Sequence, residues 1–406
     1  MLRFLKLKRF WFGIAALVLV GSLVSCKGAR LMMQQAPLKA PPLHDLPSLK
    51  SNSEMMNGLE EHIYGKIPEL TDVRILSKKE IARNAFTPGD IITEWAVEAG
   101  YGRATSVFHI VFVRRAEDLK ASVILTQNFC PNSDVVPVKD VTDPEGDFFE
   151  CSGEGILSSI FTYFFGRYIT VPPYQMILDN GYSVAVIFPP EFVPDSASQA
   201  PAILKQMFSD TPKATPGTLS VWASLTVWLA DTLKTGGETD SVITYGHSRY
   251  GKTALISAAA TASIDAVIAH QSGTGGASLL RDEKGESIAE IMESYPHWFT
   301  STFVEYAENK DALPVDAHYL LALIAPRPVL LGNARRDVWS DPSGAFNAAR
   351  AASSAWIEGD GTGLTATRLN DFRPNDDLSF WMRPGTHGVV EEDWPAFLEF
   401  LDAHFK

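Results

Sequence analysis

Cysteine is scarce: Cys26, Cys130 and Cys151 are the only three in 406 residues. A chain this long buries a large core without disulfide or metal staples. Positive charge is also in short supply. Lys and Arg number 35 against 48 Asp and Glu, a net charge of −13. That balance argues against nucleic acid as a partner, since every uncompensated phosphate would cost affinity. No closely spaced His/Cys or His/Glu set has ligand spacing, so no metal is expected. No internal repeat appears, and composition does not shift between residues 50 and 406, which leaves one domain as the simplest reading. The apolar run from Phe10 to Val24 falls short of the roughly 18 residues that a membrane-spanning helix needs.

That run is informative for another reason. Arg3, Lys6, Lys8 and Arg9 precede it and Ser25-Cys26 follow, the order of a signal peptide over residues 1–25. Leu23-Val24-Ser25-Cys26 resembles a bacterial lipoprotein signal. The resemblance implies lipidation at Cys26, membrane contact through that lipid alone, and an exported protein of the outer membrane or facing the periplasm. A plain secretory signal with an accidental cysteine is the alternative. Residues 26–50, rich in Pro, Gln, Ala and Leu without a sustained period, read as a flexible tether, and 51–406 as the folded domain. In an oxidising compartment Cys130 and Cys151 would pair across a loop of about 20 residues, or else remain as two buried thiols.

Eight runs read as strands: Ile92 to Glu98, Ser106 to Val113, Ala121 to Gln127, Tyr182 to Phe188, Ser241 to Tyr245, Ala266 to His270, Pro328 to Leu331 and Leu378 to Met382. Helical segments fall among the later ones, at Leu219 to Thr235, Thr253 to Ala262, Pro314 to Leu323, Gly344 to Ile357 and Glu391 to Phe405. Hairpin-like strands followed by alternating strand and helix predict a three-layer α/β/α sandwich with a mixed, mostly parallel central sheet.

The run Val242-Ile243-Thr244-Tyr245 ends in Gly246-His247-Ser248-Arg249-Tyr250-Gly251-Lys252. A serine at a tight strand-to-helix turn is pushed out over the end of the sheet, the nucleophile elbow of an α/β-hydrolase. Here the second glycine comes one residue later than in the common Gly-x-Ser-x-Gly. In that fold the acid and the histidine follow the serine in the chain. His387, in a turn between the last strand and the last helix, is the expected base. Asp337, after Pro328 to Leu331, is the expected acid, whereas Asp341 before Pro342 looks like a helix cap. The Arg249 N–H and a donor from Asn128 to Asn132 should form the oxyanion hole. His247 reads as structural, and His297 and His318 as neighbours of the site.

Gly246 to Lys252 resembles the Gly-x-Ser-Arg-x-Gly-Lys signature of glucuronoyl esterases, carbohydrate esterase family 15. Ser272-Gly273-Thr274-Gly275-Gly276-Ala277, Gly285-Glu286-Ser287, Pro296-His297-Trp298-Phe299, Asp337-Val338-Trp339 and Arg383-Pro384-Gly385-Thr386-His387 extend the likeness over roughly residues 90–400. The resemblance implies a cofactor-free, monomeric serine esterase acting on glucuronoxylan or lignin–carbohydrate esters. It implies Ser248 as nucleophile, an oxyanion role for Arg249, and sugar contacts by Lys252, Glu286 and Trp339. One position departs from the pattern. Gln271 stands immediately before the Ser-Gly-x-Gly-Gly motif, where many members carry the glutamate of the triad. Either the acid has moved to Asp337 or catalysis is impaired. An acetyl or xylan esterase, or a carbohydrate-binding lipoprotein without activity, are the competing readings.

Overall fold

The computed structural model describes residues 34–43, 45–101, 104–146, 148, 151, 165–208, 215–282 and 284–406. The expected signal segment and Cys26 lie outside the described residues. Among the described residues no helix is long and apolar enough to cross a membrane.

Nine strands form one sheet: β1 (Thr71–Arg83), β2 (Asp90–Tyr101), β3 (Ala104–Arg115), β4 (Val123–Gln127), β5 (Ser183–Ile187), β6 (Val242–His247), β7 (Ala266–His270), β8 (Val329–Ala334) and β9 (Leu378–Arg383). Their order is β1-β2-β3-β5-β4-β6-β7-β8-β9. The first three strands and the β3–β5 pair are antiparallel; from β5 through β9 every pairing is parallel. The eight expected strands are all present. β1 was not expected, and its sequence explains why. It is an exposed edge carrying Lys78, Lys79, Glu80 and Arg83, with register shifts along its pairing to β2, so no clean alternation survives.

The parallel strands are buried on both faces, and each contributes alternate side chains to one of two cores. Val123, Leu125, Val242, Val267, Val329 and Leu331 face one core; Ile124, Ile243, Ile268 and Leu330 face the other. Helices α1 (Thr218–Thr235), α2 (Arg249–Ala260) and α3 (Pro342–Ile357) cover the first face, and α4 (Asp393–Phe405) covers the second. The result is the expected three-layer sandwich. α1 reaches deepest: Trp222 is fully buried, its indole N–H donates to Val193 O at 2.9 Å, and its own carbonyl accepts from Gln127 Nε2 at 2.7 Å.

Much of the expected tether is bound to this body. Ala36 is buried and its N–H donates to Arg335 O at 2.7 Å. Leu38, Leu46 and Leu49 pack against the first core, and Pro47 O and Ser48 O accept from His318 and Tyr319. The leucines that broke any helical period are the reason the segment adheres.

Cys130 and Cys151 are joined by a disulfide, with Cα atoms 5.8 Å apart, across 21 residues. Closing a loop of that length contributes about 3 kcal/mol in the chain-entropy account.

Replacing Trp222 with Ala removes one of the two fully buried tryptophans of the first core and is expected to cost about 3–5 kcal/mol. Urea denaturation will check this; a midpoint within error of wild type would contradict it.

Candidate active site

Ser248 sits between β6 and α2 with φ 57° and ψ −121°, a conformation that costs about 1–3 kcal/mol and persists only under surrounding restraint. The restraint is steric and hydrogen-bonded. A Cβ on Gly246 would lie 1.9 Å from Tyr250 O, so the helix start and the strand end touch with no room for a side chain. Ser248 N–H donates to His270 O at 2.8 Å at the end of β7. The displaced second glycine also has a reason. A Cβ on Gly251 would press on Gly246 O, His270 O and Ser272 Cβ, at 3.0–3.1 Å. Tyr250, in the usual glycine position, turns instead into the first core against Phe129 and Trp222. α2 therefore begins at Arg249, four residues before the expected Thr253.

His387 lines the same cleft as Ser248, which has a volume of about 520 Å³. Its Nδ1 lies 2.8 Å from Asp337 Oδ2 and 3.3 Å from Ser340 Oγ. With Nδ1–H donated to the carboxylate, Nε2 is left as the accepting nitrogen. Asp337 is buried, and its other oxygen accepts from Ser340 N, so it both caps the short turn Val338–Ser340 and backs the histidine. Asp341 is the helix cap expected of it, accepting from Gly344 N at 2.9 Å.

Gln271 also lines the cleft, and its amide is hydrogen-bonded at both ends. Oε1 accepts from Gly388 N at 2.9 Å and lies 2.9 Å from His247 Nε2; Nε2 donates to Thr386 O at 3.3 Å. Its hydrogen bonds go to the loop that carries His387 and to His247. Beneath that loop Arg383 donates to the carbonyls of Pro384, Thr386 and Gly388 and pairs with Asp393, both Nε–O distances being 2.9 Å.

Three aromatic rings and a carboxylate surround Arg249. Its guanidinium lies 4.8 Å from the Trp298 ring and 5.3 Å from those of Tyr295 and Phe129, and it pairs with Asp195. Asp195 also accepts from His297 Nε2 at 2.9 Å and Trp298 Nε1 at 2.8 Å. Burial alone would raise the Asp195 carboxyl, but those hydrogen bonds and the Arg249 charge bring it below its usual range. Lys252 is buried in the first turn of α2, where its ammonium donates to Ser272 O. Burial pulls it down to about 8 against the favourable charges of Glu286 and Asp337. Burial raises Glu286 in turn, while Lys252 opposes the rise. Trp339 stands at the rim, about a third exposed, and the Glu286 N–H donates to its carbonyl at 2.9 Å.

Ser248, Arg249, Lys252, Glu286, Gln271, Asp337, Trp339 and His387 are therefore all brought to one cleft. Of the loop after β4, Phe129 reaches it, whereas Asn128 N–H is already given to Ile187 O. His318 bonds Pro47 O and does not line the cleft. Asp195 was not singled out from the sequence; it follows Pro194 in a loop with no period to mark it. Among the described residues no group of three or more His, Cys, Asp or Glu is arranged to hold a metal ion.

A mixed sheet with helices on both faces and a serine held at a strained turn after β6 defines an α/β-hydrolase. A family model described as glucuronyl esterase of fungi matches residues 195–358. Carbohydrate esterase MZ0003, from an unknown prokaryotic organism, is 30% identical over 370 residues, 87% of this chain and 84% of that protein. The solved structure of a promiscuous CE15 esterase from a marine bacterial metagenome is 27% identical, with a TM-score of 0.75 over 90% of this chain and 98% of that one. The 4-O-methyl-glucuronoyl methylesterase of Hypocrea jecorina (strain QM6a) is 34% identical over 127 residues, 29% of this chain and 27% of that protein. The chain belongs to the glucuronoyl esterases of carbohydrate esterase family 15, and it is a carboxylic ester hydrolase.

Two histidines behind the cleft set an acid limit. Burial, with the neighbouring His387 and His270, holds His247 well below its ordinary value; burial, with Arg383 and His387, does the same to His270. Both stay neutral when folded, but take up protons near pH 6.5 when unfolded. The unfolded state then binds more protons as pH falls, so each costs about 1.4 kcal/mol per pH unit below that point. Urea denaturation at about pH 5 should give a lower stability than at about pH 7.5, and His270→Gln should reduce the difference. An unchanged slope in that variant would contradict the assignment.

Proposed function

We propose that the chain hydrolyses 4-O-methyl-glucuronoyl esters of glucuronoxylan, the linkage to lignin alcohols included, by acyl transfer to Ser248. The observation that carries this is the hydrogen bond between His387 and Asp337 in the cleft that also holds the strained Ser248, Lys252 and Glu286. The methylesterase relatives support the choice of acyl group.

In this mechanism His387 Nε2 takes the Ser248 proton as Oγ attacks the ester carbonyl, and Asp337 stabilises the imidazolium. The Arg249 N–H, at the positive end of α2, and the Arg249 charge meet the oxyanion. The alcohol leaves with the proton from His387, and water, activated by the same nitrogen, releases the uronic acid. Lys252 and Glu286 hydrogen-bond sugar hydroxyls, and the Trp339 ring covers an apolar face of the sugar. The amide at position 271 does not deprive the site of an acid, because Asp337 stands behind His387.

Upstream, the basic region, apolar run and Leu23-Val24-Ser25-Cys26 support export with a lipid on Cys26. Cys26→Ser should then move the expressed protein from the membrane fraction to the soluble one, and retention in membranes would count against lipidation.

On benzyl glucuronate, Ser248→Ala and Asp337→Asn are each expected to lower kcat by about 10³-fold or more, while both remain folded. Lys252→Ala should act mainly on KM. In wild type KM should climb as pH passes about 8 and Lys252 loses its proton. A wild-type preference for acetylated xylan would favour an acetylesterase, and near-normal turnover by Asp337→Asn would remove Asp337 from the mechanism.

A further inference from the structure

Gln271 is 1% exposed and has a φ of 51°, a left-handed backbone that a side chain rarely adopts. Its own N–H is fixed to Gly332 O at 2.7 Å. The conformation costs about 1–3 kcal/mol and aims the amide between two segments that no backbone bond joins directly in this part of the site. On one side is His247, the residue before Ser248. On the other are Thr386 and Gly388, the residues on either side of His387. Three polar atoms are reached by one amide: Oε1 serves Gly388 N–H and His247 Nε2, and Nε2–H serves Thr386 O. A carboxylate has the acceptors but not the donor, so only the amide completes the set. Arg383 also donates to the Thr386 carbonyl, and to the carbonyl of Gly388, whose N–H Gln271 accepts.

We infer that Gln271 is a positioning residue that registers the base to the nucleophile, gripping the backbone on both sides of His387 and tying it to the residue before Ser248. The assignment rests on the reading of Ser248 and His387 as nucleophile and base. It separates two tasks: Asp337 sets the rotation and charge of the imidazole, and Gln271 sets where the imidazole stands. A catalytic group displaced by about 1 Å costs about 100-fold in rate without any loss of substrate contacts.

Kinetics on benzyl glucuronate with thermally folded variants test this. Gln271→Leu, which keeps bulk and loses all three bonds, should lower kcat by about 10- to 100-fold with KM within about twofold. Gln271→Glu keeps the two acceptor bonds and should retain more activity than Gln271→Leu. In the Asp337→Asn background, Gln271→Glu should restore little, because the side chain reaches the loop and not the imidazole. Full activity in Gln271→Leu overturns the inference. So does restoration of Asp337→Asn by Gln271→Glu to within about tenfold of wild type, which would place residue 271 on the imidazole itself. The second arm needs only the isosteric substitution to fold. His387→Ala is the separate control: activity there would refute the base assignment, whereas its loss beside a fully active Gln271→Leu would refute the positioning role alone.

Discussion

The contact between the end of β6 and the first turn of α2 leaves no space for a side chain at Gly246, and the site is organised around that closeness. Because the two elements touch, the intervening residue must take up a strained turn, and Ser248 is lifted over the edge of the sheet. The same closeness puts Arg249 and Lys252 in the first turn of a helix whose start faces the cleft. Parallel strands buried on both faces supply the rigidity that keeps the strain in place, since relaxing it would mean moving β6 within two packed cores.

Charge in this molecule is buried in partnership. The charge of Glu286 favours that of Lys252 without a direct contact, and two cations are paired outright, Arg249 with Asp195 and Arg383 with Asp393. Such pairs gain little net stability over apolar packing, but an abandoned partner is expensive, so each pair fixes a geometry more than it adds to stability. The aromatic walls around Arg249 strengthen the effect by excluding water and accepting the cation on their faces. His247 and His270, buried and held well below their ordinary values, add no charge behind His387.

The parallel strands were legible because they are short, apolar and bounded by turns, and the elbow because its glycines and serine fall within six residues. The features that escaped are those with no local pattern. β1 is a charged edge strand whose bulges erase the period of two. Asp195 belongs to the site only because a loop brings it beneath Arg249, a long-range pairing that spacing does not encode. Gln271 was visible as a departure, but its meaning was not. Only the fold shows that its amide bridges the residue before Ser248 and the loop around His387.

The docked N-terminal segment bears on reach. Ala36 is bound in both directions to Arg335, giving its N–H to Arg335 O and taking Arg335 Nε–H at 3.1 Å, two residues before Asp337. Ala36 lies ten positions after Cys26, at most about 35 Å of chain at full extension. The proposed lipid on Cys26 would therefore hold the folded body on a short leash, attached two residues before Asp337. With that anchor in place, the polymer such an esterase could serve would have to pass within that radius.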